Sequence, residues 1–152
     1  MSAIEIPGLG PLSFRHVLID MNGTLARDGV LLPGTVELLT AVSDRYHCLV
    51  LTGDTFGTAG RLRDEIPCDL QIVVRGGDKA AVARSLEGGV AAIGNGRNDV
   101  PMFEAAVLAI AVLGPEGLAR EALLAAHIVV PDIAAAMGLL LEDRRIVGTL
   151  RP

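Results

Sequence analysis

His16-Val17-Leu18-Ile19-Asp20-Met21-Asn22-Gly23-Thr24-Leu25 is a short apolar run that stops at a carboxylate and continues into an amide, a glycine and a hydroxyl. An apolar run of this length, followed by turn-forming residues, predicts a buried strand. A buried strand ending in Asp20 puts a carboxylate at the carboxyl edge of its sheet, where open α/β sheets bind ligands. Gly23 lets the chain turn sharply there and brings backbone N–H groups toward whatever Asp20 faces. Taken alone, Asn22-Gly23 is more often a plain Asx turn than a site. A site is implied only by what the rest of the chain sets beside it.

The chain has 152 residues, enough for one domain with a substantial core. Its 51% apolar content and mean hydropathy of +0.49 raise the question of membrane insertion. No run approaches the roughly 18 uninterrupted apolar residues that a spanning helix needs. The apolar residues fall instead in many short segments, as in a sheet covered on both faces. Residues 1–10 lack the basic start and apolar centre of a signal peptide, so a cytoplasmic protein is expected. Thirteen Lys and Arg against eighteen Asp and Glu give a net charge of −5, and one Tyr and three Phe are the only aromatics. Both features argue against nucleic-acid binding. Cys48 and Cys68 show neither CxxC nor zinc spacing and read as two buried thiols.

Residues 4–6 and 13–20 predict two strands around Pro7-Gly8-Leu9-Gly10-Pro11, which makes residues 1–14 an N-terminal hairpin. Residues 26–33 form a short connection containing the hairpin dipeptide Asp28-Gly29. Apolar residues at helical spacing predict a helix over 35–43. A strand over 48–51 ends in Thr52-Gly53-Asp54, and a helix over 58–65 and a strand over 70–74 follow. Asp78 is the expected N-cap of a helix over 79–86. The remaining expectations are strands at 90–93, 107–112 and 127–130, with helices at 100–106, 115–125 and 133–141. Asp132 is placed to cap the last helix, and residues 144–152 read as a C-terminal tail. His16, His47 and His127 lie in or beside strands and read as structural. Alternating strands and helices predict βαβ units and a mostly parallel central sheet with helices on both faces. The fold class is a Rossmann-like three-layer α/β sandwich, with residues 1–152 forming one domain.

Polar residues collect where these strands end. Asp20 and Asn22 follow one strand, Thr52 and Gly53 the next, and Asn95 to Asp99 another, while Lys79 opens an intervening helix. In a parallel sheet these ends share one edge. A carboxylate nucleophile, a hydroxyl, an ammonium group and a metal-binding acid together suit phosphoryl transfer, which is catalysed mainly by positioning and charge neutralisation. Asp20 is the expected nucleophile. Mg²⁺ is expected to bridge Asp20, Asp99 and the phosphate. Thr52, Lys79 and the backbone N–H groups from Asn22 through Gly23 to Thr24 are expected to meet the phosphate oxygens. Each group has a plainer reading. Lys79 is otherwise a solvated side chain, Thr52-Gly53-Asp54 a turn, and Asp99 a first-turn acid facing a helix dipole.

The order of these segments resembles the haloacid dehalogenase (HAD) superfamily of phosphohydrolases. The likeness runs from Asp20-Met21-Asn22-Gly23-Thr24-Leu25 through Thr52-Gly53-Asp54 and Lys79 to Gly94-Asn95-Gly96-Arg97-Asn98-Asp99. Within it the chain is most similar to the phosphorylation domain of P-type ATPases and its soluble relatives. The closing Arg145-Ile146-Val147-Gly148-Thr149-Leu150-Arg151 adds to that likeness. The resemblance implies a HAD-like core, Mg²⁺ dependence and an aspartyl phosphate on Asp20. It assigns catalysis to Asp20, Asn22 and Lys79. Phosphate contacts fall to Asn22, Gly23, Thr24, Thr52, Gly53, Lys79 and Asn98. The metal ligands are Asp20, the Asn22 main-chain carbonyl, Asn95 and Asp99.

Two positions depart from the superfamily pattern. Asn22 stands where many of its phosphatases carry an acid–base Asp, and an amide cannot move protons. Slow turnover, or a need for a good leaving group, follows. Asn95 stands where an acid is usual, which weakens metal binding. Only 27 residues lie between Thr24 and Thr52, and about 20 separate Lys79 from Asp99, so neither gap holds a cap domain. A capless member implies a larger phosphorylated substrate or a site closed by another subunit, and the apolar composition fits a homo-oligomer. The alternative is a degenerate phosphate- or metal-binding regulatory module with little turnover. A response-regulator receiver fits less well, because the key Asp follows the first core strand. ATP hydrolysis follows only by analogy.

Overall fold

The computed structural model describes residues 3–152. Strands β1 (Ile4–Ile6) and β2 (Gly10–Leu12) form the N-terminal hairpin. Its second arm is thus Gly10–Leu12, and the core strand β3 begins only at His16 and runs to Asp20. A small hairpin, β4 (Ala26–Arg27) with β5 (Val30–Leu31), turns at Asp28-Gly29. Both turn residues have positive φ, 51° and 79°, the requirement of the tight hairpin turn that this dipeptide favours. The chain then alternates through α1 (Thr35–Ser43), β6 (His47–Thr52), α2 (Ala59–Glu65), β7 (Asp69–Ile72), α3 (Gly76–Ser85) and β8 (Val90–Gly94). A 3₁₀ turn (Arg97–Asp99) leads into α4 (Val100–Ala105), β9 (Leu108–Val112), α5 (Arg120–Ala125), β10 (Ile128–Val130), α6 (Ile133–Leu141) and α7 (Asp143–Leu150).

The central sheet has six strands in the order β10-β9-β8-β3-β6-β7, and every pair in it is parallel. Numbered along the chain, that order is the doubly wound 3-2-1-4-5-6 arrangement, which reverses direction between β3 and β8. Alternating side chains on each strand serve two cores. Val17 and Ile19 of β3, Ile93 of β8 and Ile110 of β9 point toward α1, α2, α6 and α7. Leu18, Ala92, Ala109 and Ala111 face the other way, with Met102 and Phe103 of α4, Ala83 of α3 and Ala122 of α5. The alanines let α4 approach the sheet closely. With Leu18 wholly buried, a Leu18→Ala change costs about 2–5 kcal/mol.

Four local expectations need correction. Helix α3 starts earlier than 79, and Asp78 is its third residue. Asp78 Oδ2 accepts from the Arg75 N–H at 2.9 Å, so the acid reaches back to the cap instead of forming it. The expected helix over 115–125 begins only at Arg120, because Gly117 adopts φ +86° and Ala119 is extended. The C-terminal tail is helix α7, which buries Ile146 and lays Val147 and Leu150 on the core. The third sheet strand ends at Ile72 rather than at 74. Cys48 is buried, Cys68 is half-buried, and both are free thiols; burial pushes both thiols up, that of Cys68 to about 12. The histidine reading fits His127, whose Nδ1 accepts the Ala109 N–H at 2.9 Å. Among the described residues no helix is long and apolar enough to cross a membrane.

Candidate active site

The reversal in strand order opens a crevice between the carboxyl ends of β3 and β8, and the polar strand ends gather there. Asp20 closes β3 at 7% exposure. Its Oδ1 accepts from Lys79 Nζ at 2.7 Å. Its Oδ2 lies 3.3 Å from Thr24 Oγ1, which is itself 3.3 Å from Asn95 Oδ1. Lys79, near the start of α3, is 1% exposed and bonds Asp99 Oδ1 at 2.6 Å as well. Asp99 is wholly buried, and its Oδ2 accepts the N–H groups of Asn95 at 3.1 Å and Gly96 at 2.9 Å. Gly94 leaves the space this carboxylate fills, since a Cβ there would overlap Asp99 Oδ2.

Two carboxylates and one ammonium leave this cluster one negative charge in excess. Burial and the neighbouring Asp99 push the Asp20 carboxyl up to about 7, against an ordinary 3.8, while Lys79 and Thr24 pull it back. The two carboxylates raise the Lys79 ammonium in turn, against its burial, so it keeps its proton.

A cleft of about 280 Å³ lies above Asp20 and is lined also by Asn22, Thr52, Gly53, Thr55, Phe56, Asn95, Gly96, Asn98 and Glu116. Of the residues singled out in the sequence, Asp20, Asn22, Thr52, Gly53, Asn95 and Asn98 therefore share one surface. Thr52 Oγ1 accepts the Asp54 N–H at 3.0 Å, which leaves its own proton for a ligand. Asp54 holds that loop in a left-handed conformation (φ 54°) and accepts the Ala59 N–H at 2.9 Å. Asn22 Oδ1 accepts the Gly29 N–H at 3.1 Å, which ties the small hairpin to the site and leaves the amide NH₂ toward the cleft.

Gly23, Thr24, Lys79 and Asp99 lie behind this surface. The N–H groups of Gly23 and Thr24 are committed within their own turn, to the Ala26 carbonyl at 2.7 Å and the Met21 carbonyl at 3.2 Å. The sequence suggests these two N–H groups as phosphate contacts; in the structure both are spent within the turn. Thr24 Oγ1 is buried between Asp20 and Asn95, where it steadies the carboxylate. Both oxygens of Asp99 are engaged by protein donors, so it anchors Lys79 and the Asn95-Gly96 loop from behind the cleft. Thr55, Phe56 and Glu116 line the cleft although the motifs do not point to them, Glu116 because residues 115–125 read as helix.

The fold is like that of haloacid dehalogenase (HAD) proteins, with no cap domain among the described residues. A phosphoserine phosphatase captured as a phospho-aspartyl intermediate analogue superposes with a TM-score of 0.68 at 14% identity, covering 85% of this chain and 99% of that one. The 3-deoxy-D-manno-octulosonate 8-phosphate phosphatase of Moraxella catarrhalis, solved with magnesium, phosphate and sugar, superposes at 0.66 with 15% identity over 89% of this chain and 90% of that one. A zinc-transporting PIB-type ATPase gives 0.66 at 21% identity, over 78% of this chain and 20% of the transporter. No family model matches the chain.

Two proteins of Methanocaldococcus jannaschii are closer in sequence. The uncharacterized protein MJ0073 is 44% identical over 62 residues, 41% of this chain and 67% of that one. The uncharacterized protein MJ0072 is 41% identical over 39 residues, 26% of this chain and 89% of that one. The chain belongs to the family of these archaeal proteins.

Proposed function

We propose that the protein is a Mg²⁺-dependent phosphohydrolase that works through an aspartyl phosphate on Asp20. The observation that carries this reading is the setting of Asp20: a carboxylate at the strand-order reversal, flanked by a buried ammonium and open to a cleft of hydroxyl, amide and carbonyl groups. Asp20 attacks the phosphorus of a phosphomonoester, the P–O bond to the alcohol breaks, and the alcohol oxygen takes a proton from water. Water then attacks the same phosphorus, which releases inorganic phosphate and restores the carboxylate. Thr52 Oγ1, the Asn22 NH₂ and Asn98 donate to phosphate oxygens. Lys79 holds Asp20 in place and offsets the charge gathered around it.

The donor set suits a small hard cation. The Asn22 main-chain carbonyl accepts none of its turn's hydrogen bonds, whereas the Met21 carbonyl accepts three. That free carbonyl, Asp20 Oδ2 and Asn95 Oδ1 are all oxygen donors and would hold Mg²⁺. Bound there, the cation neutralises phosphate charge. Two of the phosphatases that share this fold hold magnesium and cobalt respectively, which supports a divalent cation. Asn22 moves no proton, so turnover is slow and favours leaving groups that depart unprotonated.

Hydrolysis of an aryl phosphate with and without Mg²⁺, together with mass spectrometry of the acid-quenched protein, tests this reading. Wild type is expected to turn over slowly with Mg²⁺ and to carry phosphate on Asp20, and Asp20→Asn to do neither. A wild type that neither turns over nor becomes phosphorylated refutes the enzyme reading. It leaves the regulatory binding module, which the amides at positions 22 and 95 favour.

A further inference from the structure

Glu116 belongs to none of the sequence motifs, yet the chain builds a dedicated turn to present it. Residues 114–117 form a tight turn closed by the Gly117 N–H to the Gly114 carbonyl at 3.0 Å. Gly114 packs so closely on the Gly23 main-chain carbonyl that a Cβ would overlap it. Asn95 fastens the other side. Its Nδ2 donates to the Gly117 carbonyl at 3.0 Å, and its own carbonyl accepts the Ala119 N–H at 2.9 Å. The turn is thus seated on both loops that frame Asp20, and Glu116 projects from it into the cleft. Glu116 Oε2 lies 2.8 Å, and Asn95 Nδ2 2.5 Å, from the point a Cβ on Gly23 would occupy. Glycine at position 23, at φ +82°, is what lets both side chains close over the Asn22–Gly23 peptide.

Charge gives this placement a chemical meaning. Among the described residues lining the cleft, Asp20 and Glu116 are the only charged ones, and both are acidic. Lys79 is engaged by Asp20 and Asp99 behind the surface. Two carboxylates facing one space repel a phosphate and attract a divalent cation. Asn95 offers such a cation an oxygen but no charge.

We propose that Glu116 is a cation-facing residue of this cleft, supplying from the 114–117 turn the negative charge that position 95 does not carry. This rests on the metal-dependent reading above. Glu116 is exposed, so replacing it leaves the core untouched.

The test measures Mg²⁺ binding by calorimetry and Mn²⁺ binding by electron paramagnetic resonance, with no phosphate ester present. It compares wild type, Glu116→Gln, the double variant Asn95→Asp with Glu116→Gln, and Glu121→Gln as an exposed control on α5. Glu116→Gln is expected to weaken both metals about tenfold or more, the control to match wild type, and the double variant to recover most of the loss. Wild-type affinity in Glu116→Gln, or no recovery in the double variant, overturns the proposal and leaves the phosphohydrolase reading standing. A wild type that binds neither metal removes that reading, and this proposal with it.

Discussion

Replacing Lys79 with Met tests the charge arrangement on which everything above depends. The change keeps the apolar stem and removes only the ammonium group. Nζ sits 2.7 Å from Asp20 and 2.6 Å from Asp99, at 1% exposure. At an effective dielectric of about 20, each contact carries roughly 6 kcal/mol of attraction. Desolvation of the three charges offsets most of it, and removing one partner from such a buried group costs about 3–5 kcal/mol. For a chain of this size that lowers the melting temperature by roughly 6–20 °C. The penalty also has a sign in pH. Asp20 is already held up to about 7 with Lys79 present, and Lys79 is what pulls it down, so the variant's carboxyl titrates higher still. A folded-state value above the unfolded one gives stability that is fully present below the unfolded value of about 4 and lost as pH rises through the folded one. The deficit of Lys79→Met is therefore smaller near pH 5, where the lost Asp99 contact still counts, than near pH 8. Urea unfolding of the metal-free protein at both pH values reads this directly. Equal stability of variant and wild type at pH 8, or a deficit that does not change with pH, refutes the buried ion cluster.

Three further outcomes follow from the same geometry. Asn22→Asp keeps the oxygen that accepts the Gly29 N–H and adds an acid–base group, so aryl phosphate hydrolysis with Mg²⁺ is expected to rise about 100-fold; an unchanged rate places the slow step elsewhere. Because Asp20 is raised to about 7 and, on the proposed reading, would bind metal as the carboxylate, Mg²⁺ affinity is expected to fall about tenfold per unit as pH drops below that value; calorimetry at pH 5.5, 6.5 and 7.5 checks the slope. Gly114→Ala puts a Cβ into the Gly23 carbonyl and is expected to cost about 1–3 kcal/mol, read by thermal melting.

The physical origin of each feature decides whether the sequence disclosed it. Helices α1 and α6 are placed to the residue, the first by its apolar spacing and the second by the Asp132 cap, whose Oδ1 accepts the Ala135 N–H at 2.8 Å. These are local signals, written within one or two turns. Helix α7 carried a signal as well, in Ile146, Val147 and Leu150, but the glycine and threonine among them made the segment read as a tail. Asp20, Thr52 and Asn95 were visible as partners because parallel strands share one carboxyl edge. That β3 and β8 are neighbours depends on the strand order, which no local pattern contains.

The division of labour between Asp20 and Asp99 lay further from view. Asp20 ends one strand, Asp99 follows the end of another, and both bond Lys79. What separates them is where their other oxygen goes. Asp99 meets two backbone N–H groups and is fully satisfied by the protein. Asp20 has only a shared hydroxyl at 3.3 Å, and so keeps binding capacity toward the cleft. Glu116 was hidden for the opposite reason: a sequence that reads as helix becomes a turn, because the loop of Asn95 and the carbonyl of Gly23, both distant in the chain, hold it there. A carboxylate whose partners are all internal builds the fold, and one left short of partners at an open edge is where chemistry can occur.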